Sequence, residues 1–275
     1  RDEAQLGGTS SATATALASN DRIGVNLLGA DFSGSQLTAT ADSAIARSGD
    51  GGDVVVTTGT QVLGSTATAR SAGTTVNITG GISATLGARA IGRSTGLAGG
   101  TGADLLVLGG ALSGTSTAST RTDADTVGII GAATARNALV ADAAIAAIDG
   151  GSGNDQLETS GNVTLIATST IRSDRMTFSG VGANSATGSS EILARASGID
   201  TGAGDLAIHS NSAVNSGQLG LTAVAAASDA STAISLVGAS VATASTAIRA
   251  TALGLVGNAG RDTLLNSGNL SVTAS

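Results

Sequence analysis

Residues 99–110 read GGTGADLLVLGG, and this stretch decides the fold because it recurs along the chain. Its glycine-rich turn ends on Asp104, an apolar run follows, and Gly110 comes six residues after the aspartate. The same pattern is led by Asp2, Asp53, Asp104, Asp155, Asp205 and Asp262, whose successive sequence numbers differ by 51, 51, 51, 50 and 57. Repetition at a nearly fixed period of this length is typical of solenoid architectures.

Two further columns of glycines support the repeat. The first lies six residues after the aspartate, at Gly8, Gly59, Gly110, Gly161 and Gly268, and the second lies near the middle of each unit, at Gly29, Gly80, Gly131 and Gly182. In the unit that begins at Asp205, the corresponding Gly217 and Gly238 are each displaced by six residues. We therefore predict an insertion of six residues between Asp205 and Gly217. The predicted units are 2–52, 53–103, 104–154, 155–204, 205–261 and a partial unit 262–275.

Side chains within each unit alternate between apolar and polar with period two, which is typical of a strand buried on one face. The run 270–274 places Leu, Val and Ala on one side, and a second alternating stretch, such as 139–145, falls late in each unit. This pattern predicts an all-β fold, a parallel β-helix (β-solenoid) with a repeat of about 51 residues. We expect two coils of about 25 residues per repeat, so that equivalent residues stack about 9.6 Å apart. Three shorter coils per repeat are an alternative that fits the alternation less well.

Composition narrows the function. The chain has 41 Gly, no Pro, no Cys, no Trp, no Tyr and only two Phe, while 41% of its residues are hydrophobic. A core of Ala, Val and Leu must be thin. The net charge of −7 and the absence of any basic cluster oppose nucleic-acid binding, which needs concentrated Lys or Arg. We also expect no membrane span, because no apolar run approaches the roughly 18 residues that a transmembrane helix requires.

Two of the turns resemble the nonapeptide Gly-Gly-x-Gly-x-Asp-x-hydrophobic-x of the RTX calcium β-roll proteins. They are residues 99–107 and 150–158. The resemblance implies Ca²⁺ as a cofactor, because hard cations prefer oxygen ligands such as carboxylates and backbone carbonyls. The candidate metal-binding residues are Asp53, Asp104, Asp155, Asp205 and Asp262. RTX motifs recur every nine residues, whereas these recur once per unit, and two coils per repeat would hold neighbouring turns too far apart to share an ion. The alternative is that Asp and Gly are simply good turn residues.

A second set of aspartates lies eight residues before the second glycine. It comprises Asp21, Asp123 and Asp174, with Asp229 shifted by one position. If an intervening coil places these residues at the same corner as the first set, a ladder of carboxylates results. Stacked carboxylates raise one another's pKa unless a cation or an Arg lies between them.

Two other functions are weaker alternatives. A β-helix polysaccharide-active enzyme needs acid–base groups and aromatic residues for stacking sugars, yet His209 is the single His and lies in the irregular segment, so we expect no enzyme. An ice-binding face is suggested by threonines that share one position of the repeat. They are Thr15, Thr66, Thr117 and Thr168, with Val224 in the fifth unit. With two coils per repeat these threonines would recur only on alternate coils.

At the level of families, the chain resembles the long repetitive surface proteins of bacteria, including RTX-type adhesins and filamentous-haemagglutinin-like solenoids. The resemblance implies a structural or adhesive repeat segment of an extracellular bacterial surface protein or filament. The alternative is a calcium-stabilised, RTX-like secreted adhesin region with a ligand-binding or ice-binding face. Because the chain opens within one turn and stops inside a strand, we expect a piece of a longer repeat protein or a subunit that self-associates end to end.

Overall fold

The computed structural model describes residues 3–202 and 209–275, and every regular element in these ranges is a β-strand. Sheet A contains the short strands β1 (Glu3–Leu6), β4 (Val54–Thr57), β7 (Leu105–Leu108), β10 (Gln156–Thr159), β13 (Ser212–Asn215) and β16 (Thr263–Asn266). Sheet B contains β2 (Thr9–Leu28), β5 (Thr60–Thr79), β8 (Leu112–Ile130), β11 (Asn162–Val181), β14 (Gln218–Val237) and β17 (Asn269–Ala274). Sheet C contains β3 (Asp31–Arg47), β6 (Ile82–Ala98), β9 (Ala133–Asp149), β12 (Asn184–Asp200) and β15 (Ser240–Val256).

All strand pairs in the three sheets are parallel, which confirms the predicted β-solenoid. The prediction of two coils per repeat is wrong. Thr15 pairs directly with Thr66, and Thr66 with Thr117, so equivalent residues of successive repeats are neighbours in the sheet. One repeat is therefore a single coil of three strands, and equivalent residues stack at one strand spacing of ~4.8 Å.

Each coil is flat because its two long strands face each other. Sheets B and C pack face to face, and the short strand of sheet A closes one edge. At the opposite edge the chain turns from sheet B to sheet C at the second glycine of the repeat. Gly131 has φ +131° there, and a Cβ on this residue would lie 2.0 Å from the carbonyl oxygen of Gly80 in the preceding coil. Both the left-handed conformation and the close stacking require glycine.

The first glycine column differs from the second in its backbone conformation. Gly8 has a positive φ, but the equivalent glycines of the later coils are not among the residues with positive φ. A Cβ on Gly110 would lie 1.8 Å from the carbonyl oxygen of Gly59. Glycine is needed in this column because the backbones of successive coils approach each other closely.

The apolar core fills only part of the space between sheets B and C. Val163, Leu165 and Ala167 of sheet B are buried, as are Leu139 and Ile145 of the facing sheet C. Toward the Gly131 edge, the inward side chains of sheet B become polar. They include Ser71, Thr75, Asn77, Thr122, Thr126, Ser173 and Thr177. A smaller apolar cluster of Ala84, Leu86, Ala124 and Ala135 lies among them. The core is therefore apolar in one half of the coil and mixed polar and apolar in the other.

The irregular coil is the fifth one. Leu105 pairs with Gln156 at the usual separation, whereas the partner of Gln156 is Ser212, five positions further along the chain than that separation would place it. Gly202 still stacks on Gly151, so the five additional residues lie after Gly202 and before Ser212. The insertion predicted from the sequence had six residues and was placed between Asp205 and Gly217.

Candidate functional site: the aspartate turns and the outer face of sheet B

The aspartates of the glycine-rich turns form a ladder along the solenoid axis. The backbone N–H of Asp53 donates to Oδ1 of Asp104 at 2.8 Å, and the N–H of Asp104 donates to Oδ1 of Asp155 at 2.9 Å. The N–H of Asp155 donates in turn to Oδ1 of Asn211 at 2.8 Å. Asn211 then donates through Nδ2 to Oδ1 of Asp262 at 3.1 Å. Each turn is thus bonded to the next by a side chain at the same position.

Burial makes this aspartate ladder energetically important. Asp53, Asp104 and Asp155 are almost fully buried, with 2%, 2% and 1% of their surface exposed. The second oxygen of Asp104 accepts a hydrogen bond from the N–H of Gly100 within its own turn at 3.2 Å. Hydrogen bonds from N–H groups to a carboxylate are charge-assisted and stronger than those between neutral groups. The ladder therefore fixes the register of successive coils.

The ladder changes how the predicted calcium residues are understood. Neighbouring turns lie one coil apart instead of the expected two, and Asn211 takes the position predicted for Asp205. Asp205 itself lies outside the described residues. Within residues 3–202 and 209–275, no group of three or more acidic, His or Cys side chains is arranged to hold a metal ion. Calcium binding at Asp53, Asp104, Asp155, Asp205 and Asp262 stays a prediction.

The second set of aspartates does not join this corner. Asp123 and Asp174 lie opposite each other in the middle of β8 and β11, on the outer face of sheet B. Each is paired with an Arg two residues earlier on its own strand, Arg121 at 3.0 Å and Arg172 at 3.3 Å. The pKa of the nearby Asp125 is raised, mainly by burial and then by the negative charges of Asp123 and Asp174. The predicted carboxylate ladder therefore lies on the outer face of sheet B, where Asp123 and Asp174 stack beside a column of arginines.

Asp229, the shifted member of that set, points into the molecule. It pairs in register with the buried Ser173 and forms an ion pair with Arg175, whose side chain is fully buried. The guanidinium also donates to Oγ of Ser173 at 2.8 Å and to Oγ of Ser231 at 2.7 Å and 2.9 Å. The Arg175–Asp229 pair was not predicted from the sequence. The one-residue shift of Asp229 was a usable signal, since such a shift moves a side chain to the opposite face of a strand.

A pair of carboxylates lies at the edge between sheets C and A. Asp149 and Asp200 occupy the same position on adjacent coils and accept hydrogen bonds from the N–H groups of Gly151 and Gly202 at 3.2 Å and 3.0 Å. Burial and then the Asp200 carboxylate raise the pKa of Asp149, and the hydrogen bond from Gly151 opposes them.

The predicted threonine column is continuous. Thr15, Thr66, Thr117 and Thr168 pair directly from coil to coil, and Thr168 pairs with Val224. The single-coil repeat therefore removes the objection that these threonines recur only on alternate coils. Their side chains point outward, since the alternate residues of the same strands are the buried ones.

Two features bear on catalysis. A shallow cavity of about 430 Å³ on sheet C is lined by Thr, Ser, Asn, Ala and Gly together with one titratable side chain, Arg136. The backbone carbonyl of His209 accepts a hydrogen bond from the N–H of Arg261 at 2.9 Å, so His209 belongs to the stacked turns. The lining of the cavity places no carboxylate and no imidazole beside Arg136.

Comparisons with known proteins do not identify a family. No protein-family model matches the chain, and no match was found among curated proteins or solved structures. The part of the chain that the structure describes contains no helix long and apolar enough to cross a membrane.

Proposed function

We propose that this chain is a structural and adhesive repeat segment of an extracellular bacterial surface protein. The observation that carries the proposal is the unbroken parallel register, in which every strand of sheets A, B and C stacks on its counterpart from the neighbouring repeat. The length of such a molecule is set by its number of equivalent coils, and each coil contacts only its neighbours. An elongated molecule of this kind is suited to act as a spacer between the bacterial cell and the surface to which the cell attaches.

Side-chain ladders inside the solenoid add to its stiffness. Ser43 lies 3.0 Å from Ser94, Ser94 lies 2.9 Å from Ser65, and Ser65 lies 2.9 Å from Ser116, measured between hydroxyl oxygens. This chain of hydroxyls links adjacent coils and also joins sheet C to sheet B. Buried hydrogen-bonded networks of this kind favour one arrangement of the strands over others.

The repeated outer faces support the adhesive part of the proposal. Because each coil places the same side-chain positions at a spacing of ~4.8 Å, weak contacts are multiplied along the solenoid axis. Many weak contacts on one rigid body bind far more tightly than any single contact. Adhesion of this kind needs no deep pocket.

Antibody labelling of the native cells tests the proposal. Antibodies raised against the purified chain should label intact cells as strongly as permeabilised ones, and beads coated with the chain should adhere to surfaces that bind those cells. Labelling that requires permeabilisation would refute the extracellular location. Inert beads together with surface labelling would leave a structural role and remove the adhesive one.

Association through the free sheet edges extends the proposal. The outermost strands, such as β2 and β15, pair on one side only within the described chain, and exposed strand edges are templates for further pairing. We expect further coils or another copy of the chain to add there. Sedimentation at increasing concentration should show growing oligomers for the second case, and a monomer at all concentrations would eliminate it.

A calcium-stabilised adhesin is the second candidate, and it is favoured by the stacking of the glycine-rich turns at adjacent coils. Calcium that binds only the folded chain would raise its stability. Thermal melts in millimolar Ca²⁺ and in chelator should then differ by several degrees. The aspartate ladder alone predicts identical melts.

A further inference from the structure

The outer face of the first half of sheet B is an uncharged surface rich in hydroxyl groups. It comprises the outward residues of segments 9–17, 60–68, 111–119, 162–170 and 218–226, all of which the structure describes. None of these outward residues is charged, and most are Thr or Ser. Charges begin in the next columns, which contain Arg121 and Asp123. We call this surface the threonine face.

Three neighbouring columns form its centre. The middle column is Thr15, Thr66, Thr117 and Thr168. The flanking columns contribute Thr13, Thr115 and Thr222 on one side and Thr68, Ser119 and Thr170 on the other. Because the columns are two residues apart along each strand, the hydroxyl groups occupy a grid of about 4.8 Å by 6.6 Å.

The grid is held rigidly by the fold. Strands β5, β8, β11 and β14 are paired on both sides, so their Cα positions are fixed. Threonine is β-branched and has restricted χ1 rotation, which leaves its hydroxyl and methyl groups in few orientations. The hydroxyls of Thr170 and Ser119 even lie within hydrogen-bonding distance along the axis, at 3.2 Å. Preorganised groups lose little entropy when they bind.

The side chains of the threonine face indicate which kind of partner it can bind. It lacks the Trp, Tyr and Arg residues that dominate binding to proteins, and its lack of charge offers nothing to an ionic ligand. Each hydroxyl both donates and accepts a hydrogen bond, as a water molecule does. An extended, uncharged partner that repeats in two dimensions and hydrogen-bonds in both senses is a lattice of ordered water.

We infer that the threonine face binds ice. Ordering a water molecule costs entropy, so binding depends on many positions acting together. Interruptions such as Gly64, Ile166 and Val224 reduce the regular area without adding charge. The inference rests on the proposed function, because it names the surface to which the adhesive segment attaches.

Ice-affinity measurements test the inference directly. Fluorescently labelled chain should enter slowly growing polycrystalline ice at least tenfold more than an inert labelled protein, and it should shape single ice crystals. The variant Thr66→Lys/Thr117→Lys/Thr168→Lys should lose this enrichment. The matched control, Thr38→Lys/Thr40→Lys/Thr85→Lys, adds the same charge to the outer face of sheet C and should behave as wild type.

A milder variant protects the test against misfolding. Thr117→Val preserves the β-branched shape and should weaken ice enrichment several-fold while its circular dichroism spectrum stays that of the wild type. Exclusion of the wild-type chain from ice overturns the inference, as does equal enrichment of the folded Thr66→Lys/Thr117→Lys/Thr168→Lys variant. Failure to bind ice by a chain that still labels intact cells removes the inference alone, whereas absence from the cell surface removes the proposed function.

Discussion

Replacing Asp104 with alanine removes one member of the aspartate ladder and leaves two backbone N–H groups without their hydrogen-bond acceptor. The N–H of Asp53 loses its partner at 2.8 Å inside a turn where Asp53 is 2% exposed, so this donor is left in a buried position. A buried donor left without a partner costs about 1–3 kcal/mol, toward the upper end when the lost bond was charged. The N–H of Gly100 loses a bond at 3.2 Å, but it is half-buried and water can replace much of it. The expected total is about 2–4 kcal/mol.

The chain supplies its own control for this prediction. Asn211 occupies the equivalent position one coil beyond Asp155 and accepts the same backbone hydrogen bond at 2.8 Å. Asp104→Asn should therefore keep the ladder bond through its amide oxygen, but it loses the charge and the bond from the N–H of Gly100, because an amide nitrogen cannot accept a hydrogen bond. The expected cost is about 1–2 kcal/mol. For a chain of this size, Asp104→Ala should lower the melting temperature by roughly 5–15 °C, and Asp104→Asn by only a few degrees.

Hydrogen exchange gives the local measurement. In Asp104→Ala the amide of Asp53 should lose its protection, while amides in the middle of the long strands stay protected, because a repeat array opens locally. Thermal denaturation followed by circular dichroism gives the global value. Equal melting temperatures for wild type and Asp104→Ala, together with an unchanged Asp53 amide, would show that the ladder contributes nothing.

Three further predictions concern other parts of the molecule. Arg175→Ala should destabilise the chain by about 3–5 kcal/mol because it leaves Asp229 buried without its counter-charge, whereas Arg175→Met/Asp229→Leu should come close to wild type in urea denaturation. Gly131→Ala should lower the melting temperature far more than Gly8→Ala, since both glycines have positive φ but only Gly131 has a carbonyl oxygen 2.0 Å from the added Cβ. Asp149 has a folded pKa above its ordinary 3.8, so its ionisation lowers stability as the pH rises from that value through the folded pKa. Asp149→Asn should accordingly raise the melting temperature at pH 7 and leave it unchanged near pH 3, so that the melting temperature falls less between these two pH values than in the wild type. A larger fall in the variant would contradict a raised pKa for Asp149.

Much of the fold could be predicted from the sequence because period-two alternation and the Asp–Gly spacing are local signals. The number of coils per repeat could not, since both long stretches of a unit alternate and look like equivalent coils. The chain instead uses them as the two faces of one coil, in long strands such as β2 of 20 residues and β3 of 17 residues. Typical strands are about 5–6 residues long, so strands of this length are unusual.

The candidate site was predicted in part. Asp53, Asp104 and Asp155 do stack, but the carboxylates of Asp104 and Asp155 accept from backbone N–H groups of the preceding coil, which no sequence pattern reveals. The place of Asn211 in the ladder depends on an insertion whose location is fixed by pairing of the strands beyond it. Asp229 differs from the outward aspartates by one residue, and only the face of the strand decides whether it meets solvent or Arg175.

The distance between equivalent residues on well-separated coils tests the central claim, that each repeat is a single coil. The chain has no Cys, so Thr15→Cys/Val224→Cys places two spin labels on one outer column without further changes. Strand pairing separates these positions by four coils, which gives a backbone distance of about 19 Å at ~4.8 Å per coil. Pulsed electron–electron double resonance should therefore return a distribution centred at about 19 Å, allowing for the length of the labels. A distribution centred at about 38 Å, the value for two coils per repeat, would contradict the account.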